Sequence, residues 1–388
     1  MFKAHPDLQL HEIWPGKKGY PWADAGVRLW SRQGLLRRTG ASRLLCTWTT
    51  GMSHSEPMPG NITMYAVSED NGKTWSEPEI LFQHASEGLL VPEIFVAPDG
   101  NVYAFIQTYG SGSWLCRMHN YISVSKDGGK TWATPRSLGG GVDNLWTNPG
   151  IVSGARWIFP VSYCELNGAQ WCHLADGRAP YKAVVGAVEQ PANEFPAQSD
   201  RIAFQIAANK WADENHRSCC GVIISEDNGE SFRLCGRISG GAADMLIEPK
   251  IVRLDSGDLL MLMRSQKDNY LWQSISRNNG DSWEKASCSE IPNPGANFML
   301  QKDSSGVIHL LHNPSNSLGV SNGKRNPLSW WQSRDDGRSW QEHLVLLRNE
   351  YDTDPSLNYP DGFIDEKEQC LNFVWEDAYH IYYASIGM

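Results

Sequence analysis

One eight-residue pattern occurs five times along the chain and restricts its fold more than any other feature. The pattern is S-x-D-x-G-x-[ST]-[WF], with Asn at the Asp position in one copy. Its copies are Ser68–Trp75, Ser125–Trp132, Ser225–Phe232, Ser276–Trp283 and Ser333–Trp340. In a hairpin turn, an Asp or Asn side chain accepts hydrogen bonds from backbone N–H groups, and Gly takes the conformation with positive φ. The repeats therefore predict short strands joined by tight turns.

The spacing of the copies predicts blades of equal size. Their first residues lie 57, 100, 51 and 57 positions apart, and steps of about 50 residues fit one four-stranded blade. The pattern resembles the Asp-box, or BNR, repeat of sialidases and related propellers, in which the box joins the third and fourth strands of a blade. This resemblance extends over nearly the whole chain and implies an all-β, six-bladed β-propeller of the sialidase superfamily.

A second repeat predicts the number of blades. Strand–turn–strand openings begin at Ser31, Val91, Asn148, Ile247, Asn297 and Asn358. The interval of 100 residues between the second and third Asp boxes contains no opening besides that at Asn148. This predicts an insertion or lid at about 168–216 in the third blade, and a seventh blade there is the alternative. The sixth blade lacks an Asp box, so the N-terminal run LQLHEIW is expected to supply its missing strand. This closure would make residues 1–388 one domain.

Strand direction predicts which side chains share the face opposite the Asp boxes. First strands start, second strands end and third strands start at that face. First strands start with Arg32, Glu93, Asn148, Glu248 and Tyr359. Second strands end with Arg264, His312, Asn313, Glu376 and Asp377, and third strands start with His119, His216, Arg325 and His380. Ligands bind at such loop clusters. We therefore expect Glu93, His119 and His216 to contact a substrate beside the arginines.

The resemblance to sialidases reaches individual residues of this face. Sialidases bind the substrate carboxylate with three arginines, and Arg32, Arg264 and Arg325 stand at similar positions, although S-R-Q-G at Arg32 differs from the family's Y-R-I-P. The family's Tyr nucleophile begins the last blade, as Tyr359 does in N-Y-P-D-G. Its partner Glu precedes Pro, as Glu248 does in I-E-P-K-I. The resemblance thus implies that Tyr359 and Glu248 are catalytic.

These residue types suit an anionic sugar. An Arg guanidinium can bind a carboxylate through two parallel hydrogen bonds, and Arg28, Arg37 and Arg38 compete with Arg32 for this role. A carboxylate nucleophile would be repelled by such a substrate, whereas a neutral Tyr deprotonated by Glu248 would not be. The predicted activity is that of an exo-acting glycoside hydrolase. It would cleave a terminal sialic acid-like or uronic acid-containing sugar with retention of configuration.

The acid/base residue departs from the sialidase pattern. Sialidases carry an Asp on the loop after the second strand of blade one, where this chain has T-G-M-S-H-S-E-P-M-P-G-N. His54 or Glu56 is the predicted acid/base there. The departure leaves two alternatives open. One is a propeller polysaccharide lyase or rhamnosidase acting at a rhamnose–glucuronate linkage, and the other is a non-catalytic glycan-binding propeller.

Charge and cysteine content restrict the classes of partner and cofactor that this chain is expected to bind. The net charge of −10 and the lack of a Lys/Arg-rich run argue against nucleic acid, and no apolar run approaches the length of a membrane span. The 9 cysteines form no C-x2-C pair, which argues against a zinc site. No metal and no other cofactor is predicted. The expected partner is an acidic oligosaccharide or glycoconjugate.

The protein is expected in the cytoplasm if Met1 is the native start, and secreted or periplasmic if a signal peptide was removed.

Overall fold

The structure is a computed structural model. It describes residues 2–16, 29–51, 61–84, 87–109, 118–138, 142, 145–166, 182–185, 188–191, 216–238, 246–315, 324–351, 356–377 and 379–388. Within these ranges the regular elements are β-strands, and no helix there is long and apolar enough to cross a bilayer.

The described strands number 29. The first fifteen are β1 (Phe2–Ala4), β2 (Gln9–Trp14), β3 (Trp30–Arg38), β4 (Leu44–Gly51), β5 (Ile62–Ser68), β6 (Glu79–Phe82), β7 (Gly88–Leu89), β8 (Glu93–Val96), β9 (Val102–Tyr109), β10 (Met118–Ser125), β11 (Arg136–Ser137), β12 (Trp146–Thr147), β13 (Ile151–Ser153), β14 (Arg156–Leu166) and β15 (Lys182–Val185). The others are β16 (Val188–Pro191), β17 (His216–Ser225), β18 (Arg233–Ile238), β19 (Leu246–Arg253), β20 (Leu259–Ser265), β21 (Tyr270–Ser276), β22 (Ser287–Pro292), β23 (Met299–Lys302), β24 (Ile308–His312), β25 (Leu328–Ser333), β26 (Gln341–Asn349), β27 (Asn358–Asp365), β28 (Cys370–Glu376) and β29 (Ile381–Gly387).

Six antiparallel sheets of these strands are the blades of a β-propeller. In order from first to last strand they are β3–β6, then β7 or β8 with β9–β11, then β12 or β13 with β14, β17 and β18, then β19–β22, then β23–β26 with β1, and finally β27–β29 with β2. All five Asp boxes follow the third strand of their blade, as the resemblance to Asp-box repeats implies. The six-bladed, all-β architecture is thereby confirmed.

The third blade contains the long interval between Asp boxes. Its second and third strands, β14 and β17, pair directly over ten residues from Trp157 to Leu166. Residues 167–215 therefore connect two neighbouring strands of one blade. The strands described inside this segment, β15 and β16, pair only with each other, so the alternative of a seventh four-stranded blade is wrong. The role of the segment as a lid stays a prediction.

The N-terminal segment contributes to two blades. Strand β2 pairs with β29 and completes blade six, which confirms the closure predicted from LQLHEIW. Strand β1 pairs with β26 and adds a fifth strand to blade five, which the repeats did not predict. Closure buries Trp14 completely. Its indole N–H donates to Ser31 Oγ over 2.9 Å, and its ring lies 5.9 Å from that of Trp48.

Each Asp box is a hydrogen-bonded turn on the face away from the predicted site. In the first box, the backbone N–H of Gly72 donates to Ser68 Oγ over 2.7 Å, and the N–H and hydroxyl of Thr74 donate to Asp70 over 2.9 and 2.6 Å. The hydrogen bonds that Asp70 accepts, that of the Thr74 hydroxyl first, lower the pKa of Asp70 to about 2. Trp75 then packs 5.3 Å from the ring of Tyr383 in blade six. The boxes thus tie neighbouring blades together.

Candidate active site

Three first strands carry the same irregularity near the propeller axis. Strands β3, β19 and β27 each shift register within their first residues. At each shift one non-glycine residue has a left-handed backbone: Gln33 with φ 55°, Glu248 with φ 51° and Tyr359 with φ 46°. Such a residue costs about 1–3 kcal/mol and persists where its surroundings hold it, often at functional sites. Two of the three are the residues predicted to be catalytic.

Arg264 connects these two residues. Its Nη1 lies 2.9 Å from Glu248 Oε2 and 3.4 Å from the Tyr359 hydroxyl. Glu248 is completely buried, and its backbone N–H donates to Ser162 Oγ over 2.8 Å. Its second carboxylate oxygen, Oε1, has no hydrogen-bond partner among the described residues. Glu248 and the Tyr359 hydroxyl are therefore linked through Arg264, with no direct hydrogen bond between them among the described residues.

Two further arginines flank the Tyr359 ring. The guanidinium carbon of Arg325 lies 4.8 Å from the ring centroid and that of Arg32 lies 5.7 Å from it. Arg325 donates to Asn358 Oδ1 over 2.9 Å, and Arg32 contacts Glu376 Oε1 at 3.3 Å. The three arginines predicted to bind a carboxylate therefore surround one tyrosine.

The charges of this cluster favour an anion. Burial opposes the charge of Arg264, but Glu248 and Tyr359 outweigh burial and raise its pKa. Burial lowers the pKa of Arg325, and Tyr359 partly offsets that effect. The cluster contains three positively charged guanidinium groups and two buried carboxylates, those of Glu248 and Glu376. The described cluster thus has one positive charge in excess, in a protein of net charge −10.

A second charged network lies along the axis beneath Tyr359. Arg37 contacts Glu93 Oε1 at 2.8 Å and forms a short ion pair with Asp361. Lys250 Nζ donates to Asn148 Oδ1 over 2.8 Å. Glu93 belongs to this network and is almost completely buried, and its contact with substrate stays a prediction. Arg37 and Lys250 also line an axial cavity of about 520 Å³.

The remaining candidates lie farther out or outside the described residues. His119 Nε2 is 3.8 Å from Glu87 Oε1, and Thr108 Oγ1 donates to that carboxylate over 2.5 Å. The backbone of His216 begins β17, and its side chain is outside the described residues. His54 and Glu56 also lie outside the described ranges. Within those ranges, no group of three His, Cys, Asp or Glu side chains could hold a metal ion.

Sequence reasoning missed the residues that hold the cluster in place. Asn358, which accepts a hydrogen bond from Arg325, and Ser162, which accepts one from the Glu248 backbone, received no role. Gln33 was also overlooked, although its side-chain oxygen is buried without a partner among the described residues. The signal that could have found Gln33 is its place in the repeat. It occupies the position of Glu248 in E-P and Tyr359 in Y-P, with Gly34 in place of Pro.

The closed ring of six antiparallel blades and its five Asp-box turns define a six-bladed β-propeller built on BNR-type repeats. A family model described as a BNR repeat-like domain matches residues 42–181 and 222–370. The chain belongs to this BNR repeat-like family.

Solved structures share the fold at low sequence identity. A protein of unknown function from Dyadobacter fermentans aligns with a TM-score of 0.65 at 12% identity, over 99% of this chain and 100% of that one. The sialidase of Trypanosoma rangeli, in complex with sialic acid, aligns with a TM-score of 0.65 at 14% identity over 98% of this chain. This chain spans 59% of the length of that sialidase.

The NanB sialidase of Streptococcus pneumoniae has the same architecture. It aligns with a TM-score of 0.64 at 11% identity, over 96% of this chain and 71% of that one. The sequence matches no curated protein. At these identities the likeness to solved structures concerns the fold alone, and function depends on the residues of the site.

Proposed function

We propose that this protein is an exo-acting glycoside hydrolase that removes a terminal acidic sugar through a covalent intermediate on Tyr359. The observation that carries the proposal is the position of Arg264, which contacts both Glu248 and the Tyr359 hydroxyl while two more arginines flank the tyrosine ring. A glycan-binding protein without catalysis would have no need of a buried carboxylate and a tyrosine hydroxyl that contact the same arginine.

The first step forms a bond between Tyr359 and the sugar. The phenol oxygen attacks the anomeric carbon while its proton passes to Glu248. Oε1 of Glu248 has no other hydrogen-bond partner among the described residues. The glycosidic C–O bond breaks, and the leaving oxygen takes a proton from the acid, for which His54 and Glu56 are the candidates. Arg264 lies 3.4 Å from the phenol oxygen and stabilises the negative charge that develops there.

The second step releases the sugar. Water attacks the anomeric carbon from the side left open by the leaving group, and the same acid/base residue accepts the proton of the water. The bond to Tyr359 breaks, and Glu248 returns the proton to the phenol oxygen. Two displacements at one carbon give retention of configuration.

The arginines determine the substrate class in this proposal. A planar guanidinium binds a carboxylate through two parallel hydrogen bonds, and the cluster has an excess positive charge before substrate binds. Arg32 remains 24% exposed at the mouth of the site, whereas Arg264 and Arg325 are buried. We therefore expect sugars with a carboxylate next to or near the anomeric carbon, such as sialic acids or uronic acids. Matched neutral sugars are expected to react slowly.

Replacement of the catalytic pair tests the proposal. With methylumbelliferyl sialoside and methylumbelliferyl glucuronide as substrates, we expect Glu248→Gln to lose about 10²–10⁴-fold in kcat and Tyr359→Phe to lose at least as much. The double variant should be little worse than either single one, because the two residues act as a unit. Tyr351→Phe is the control, since Tyr351 is 65% exposed. A fluorinated sialosyl inactivator should label Tyr359, which mass spectrometry would detect.

Two results would contradict the proposal. Near-normal turnover by Tyr359→Phe together with an inactive His54→Ala variant would move the chemistry to the loop of blade one. Products that absorb near the ultraviolet edge as unsaturated uronates would then identify a lyase. Equal turnover of neutral and acidic sugars would exclude a carboxylate-binding role for the arginine cluster.

A further inference from the structure

All three nitrogen atoms of the Arg37 guanidinium donate hydrogen bonds to groups of the protein. Its Nε donates to the carbonyl of Ile94 over 2.9 Å, and Nη1 donates to the carbonyl of Leu36 over 2.7 Å and to Asp361 Oδ1. Nη2 donates to Glu93 Oε1 over 2.8 Å and to Asp361 Oδ2 over 3.4 Å. These contacts match the five N–H donors of a guanidinium. Arg37 therefore has no donor left for a substrate carboxylate and serves another purpose than Arg32.

The contacts of Arg37 join three blades beneath the proposed nucleophile. Arg37 lies on β3 of blade one, Glu93 and Ile94 on β8 of blade two, and Asp361 on β27 of blade six. Asp361 also accepts the backbone N–H of Leu36 over 2.9 Å. Its carboxylate is thus held by two groups of β3, and it is only 5% exposed.

Asp361 lies at one end of the bulge that contains Tyr359. The register of β27 against β28 shifts between Asn358 and Asp361, and Tyr359 between them has the left-handed φ of 46°. A non-glycine residue remains in that conformation only where neighbouring contacts hold it. Arg325 holds Asn358 before the bulge, and Arg37 holds Asp361 after it.

We propose that Arg37 is a positioning residue, which fixes the bulge of β27 through Asp361 and so aims the Tyr359 hydroxyl at the reacting carbon. The inference rests on the proposed function, because it takes Tyr359 to be the nucleophile. A lysine could not replace this arginine, because a single ammonium group cannot reproduce the fork that binds Asp361 with two nitrogen atoms.

The test compares two neighbouring arginines of the same strand. Arg37→Lys keeps the positive charge beside Glu93 and Asp361 but removes the fork. Arg38→Lys is the matched control. Arg38 joins β3 to β27 in the same way through an ion pair with Asp365, four residues beyond Asp361 and away from Tyr359. With methylumbelliferyl sialoside and glucuronide, we expect Arg37→Lys to lower kcat by about 100-fold with KM little changed. Arg38→Lys should leave kcat unchanged.

Crystal structures of both variants provide a measurement that needs no substrate. We expect residues 358–361 of Arg37→Lys to leave the left-handed conformation at Tyr359, and those of Arg38→Lys to keep it. A retained bulge and a kcat equal to that of Arg38→Lys would overturn the positioning role, even if Tyr359→Phe is inactive. Conversely, an active Tyr359→Phe variant with a displaced bulge in Arg37→Lys would overturn the proposed nucleophile and leave the positioning of β27 standing.

Discussion

At the scale of single residues, arginines a few positions apart on strand β3 make contacts with different parts of the protein. Arg32 reaches the ring of Tyr359, Arg37 is enclosed by acceptors on the axis, and Arg38 pairs with Asp365 nearer the Asp-box face. Alternation along an ideal strand would place Arg32 and Arg38 on one face and Arg37 on the other. The bulge between Arg32 and Leu35 breaks this alternation, so the environment of each arginine depends on the local backbone.

Glu93 gives this axial network a pH dependence. Burial raises the pKa of Glu93 to about 7, although Arg37 acts in the opposite direction. Since the folded-state pKa lies above the unfolded value of about 4.3, the unfolded state loses its proton first. The contribution of Glu93 to the free energy of unfolding is therefore full below about pH 4 and falls until about pH 7.

We expect Glu93→Gln to remove this decline, because Gln stays neutral at every pH. In urea denaturation between pH 4.5 and 8, the loss of stability due to Glu93 should be up to about 3 kcal/mol in the wild type and absent from Glu93→Gln. Glu368→Gln, which changes a surface carboxylate, serves as the control. Parallel stability profiles for wild type and Glu93→Gln would contradict this assignment.

At the scale of elements, the Asp box combines a local turn with a contact between blades. The Ser68 and Asp70 side chains satisfy the backbone of the first box, and Gly72 has φ 84°. A Cβ atom at Gly72 would lie 2.3 Å from Cζ of Tyr383 in blade six. Gly100, in another turn, has φ 85° and would have no atom within 4 Å of an added Cβ.

These two glycines separate backbone strain from blade contact. We expect Gly100→Ala to lower the free energy of unfolding by about 1 kcal/mol, because only the left-handed conformation opposes Ala there. Gly72→Ala should cost about 2–3 kcal/mol more, since the buried ring of Tyr383 would have to move. Urea denaturation of both variants measures the difference. Equal losses would mean that the box does not constrain the neighbouring blade.

At the scale of the whole molecule, the ring of blades is closed by the N-terminal segment. Strand β2 completes blade six, so β29 has a partner on both sides. Without β2, the backbone donors and acceptors of β29 that pair with it would lose their partners. Burial of Trp14 against Trp48 adds apolar contact between blades six and one. Closure by β2 therefore also completes a hydrophobic cluster between blades six and one.

Truncation at two points tests the closure. Deletion of residues 1–14 removes β1 and β2, and we expect it to abolish cooperative unfolding, because burying Trp14 alone is worth about 3–5 kcal/mol. Deletion of residues 1–4 removes only β1, the extra strand of blade five, and should lower Tm by a few degrees. Thermal unfolding followed by circular dichroism distinguishes the two. A cooperative transition at the wild-type Tm after the longer deletion would exclude closure by β2.

The repeat and the turns were predictable because they depend on neighbouring residues. The closing strand was predictable because the sixth blade lacks an Asp box and therefore needs a strand from elsewhere in the chain. Gly and Asp at set positions specify a turn wherever they occur, and a step of about 50 residues specifies a four-stranded blade. Because strands of a blade alternate in direction, the sequence also assigned five residues to the face opposite the Asp boxes, namely Arg32, Arg264, Arg325, Glu248 and Tyr359. The structure brings these residues together there. Their roles in catalysis stay predictions.

The sequence by itself thus determined the architecture and the face that carries the candidate site. Only the tertiary structure decided that Glu93 binds Arg37, that Arg264 lies between Glu248 and Tyr359, and that β1 joins blade five. Strand patterns assign a residue to a face or an end, but contacts near the axis join residues hundreds of positions apart. Those contacts depend on bulges and on how the blades converge, which are properties of the closed ring and not of any one repeat.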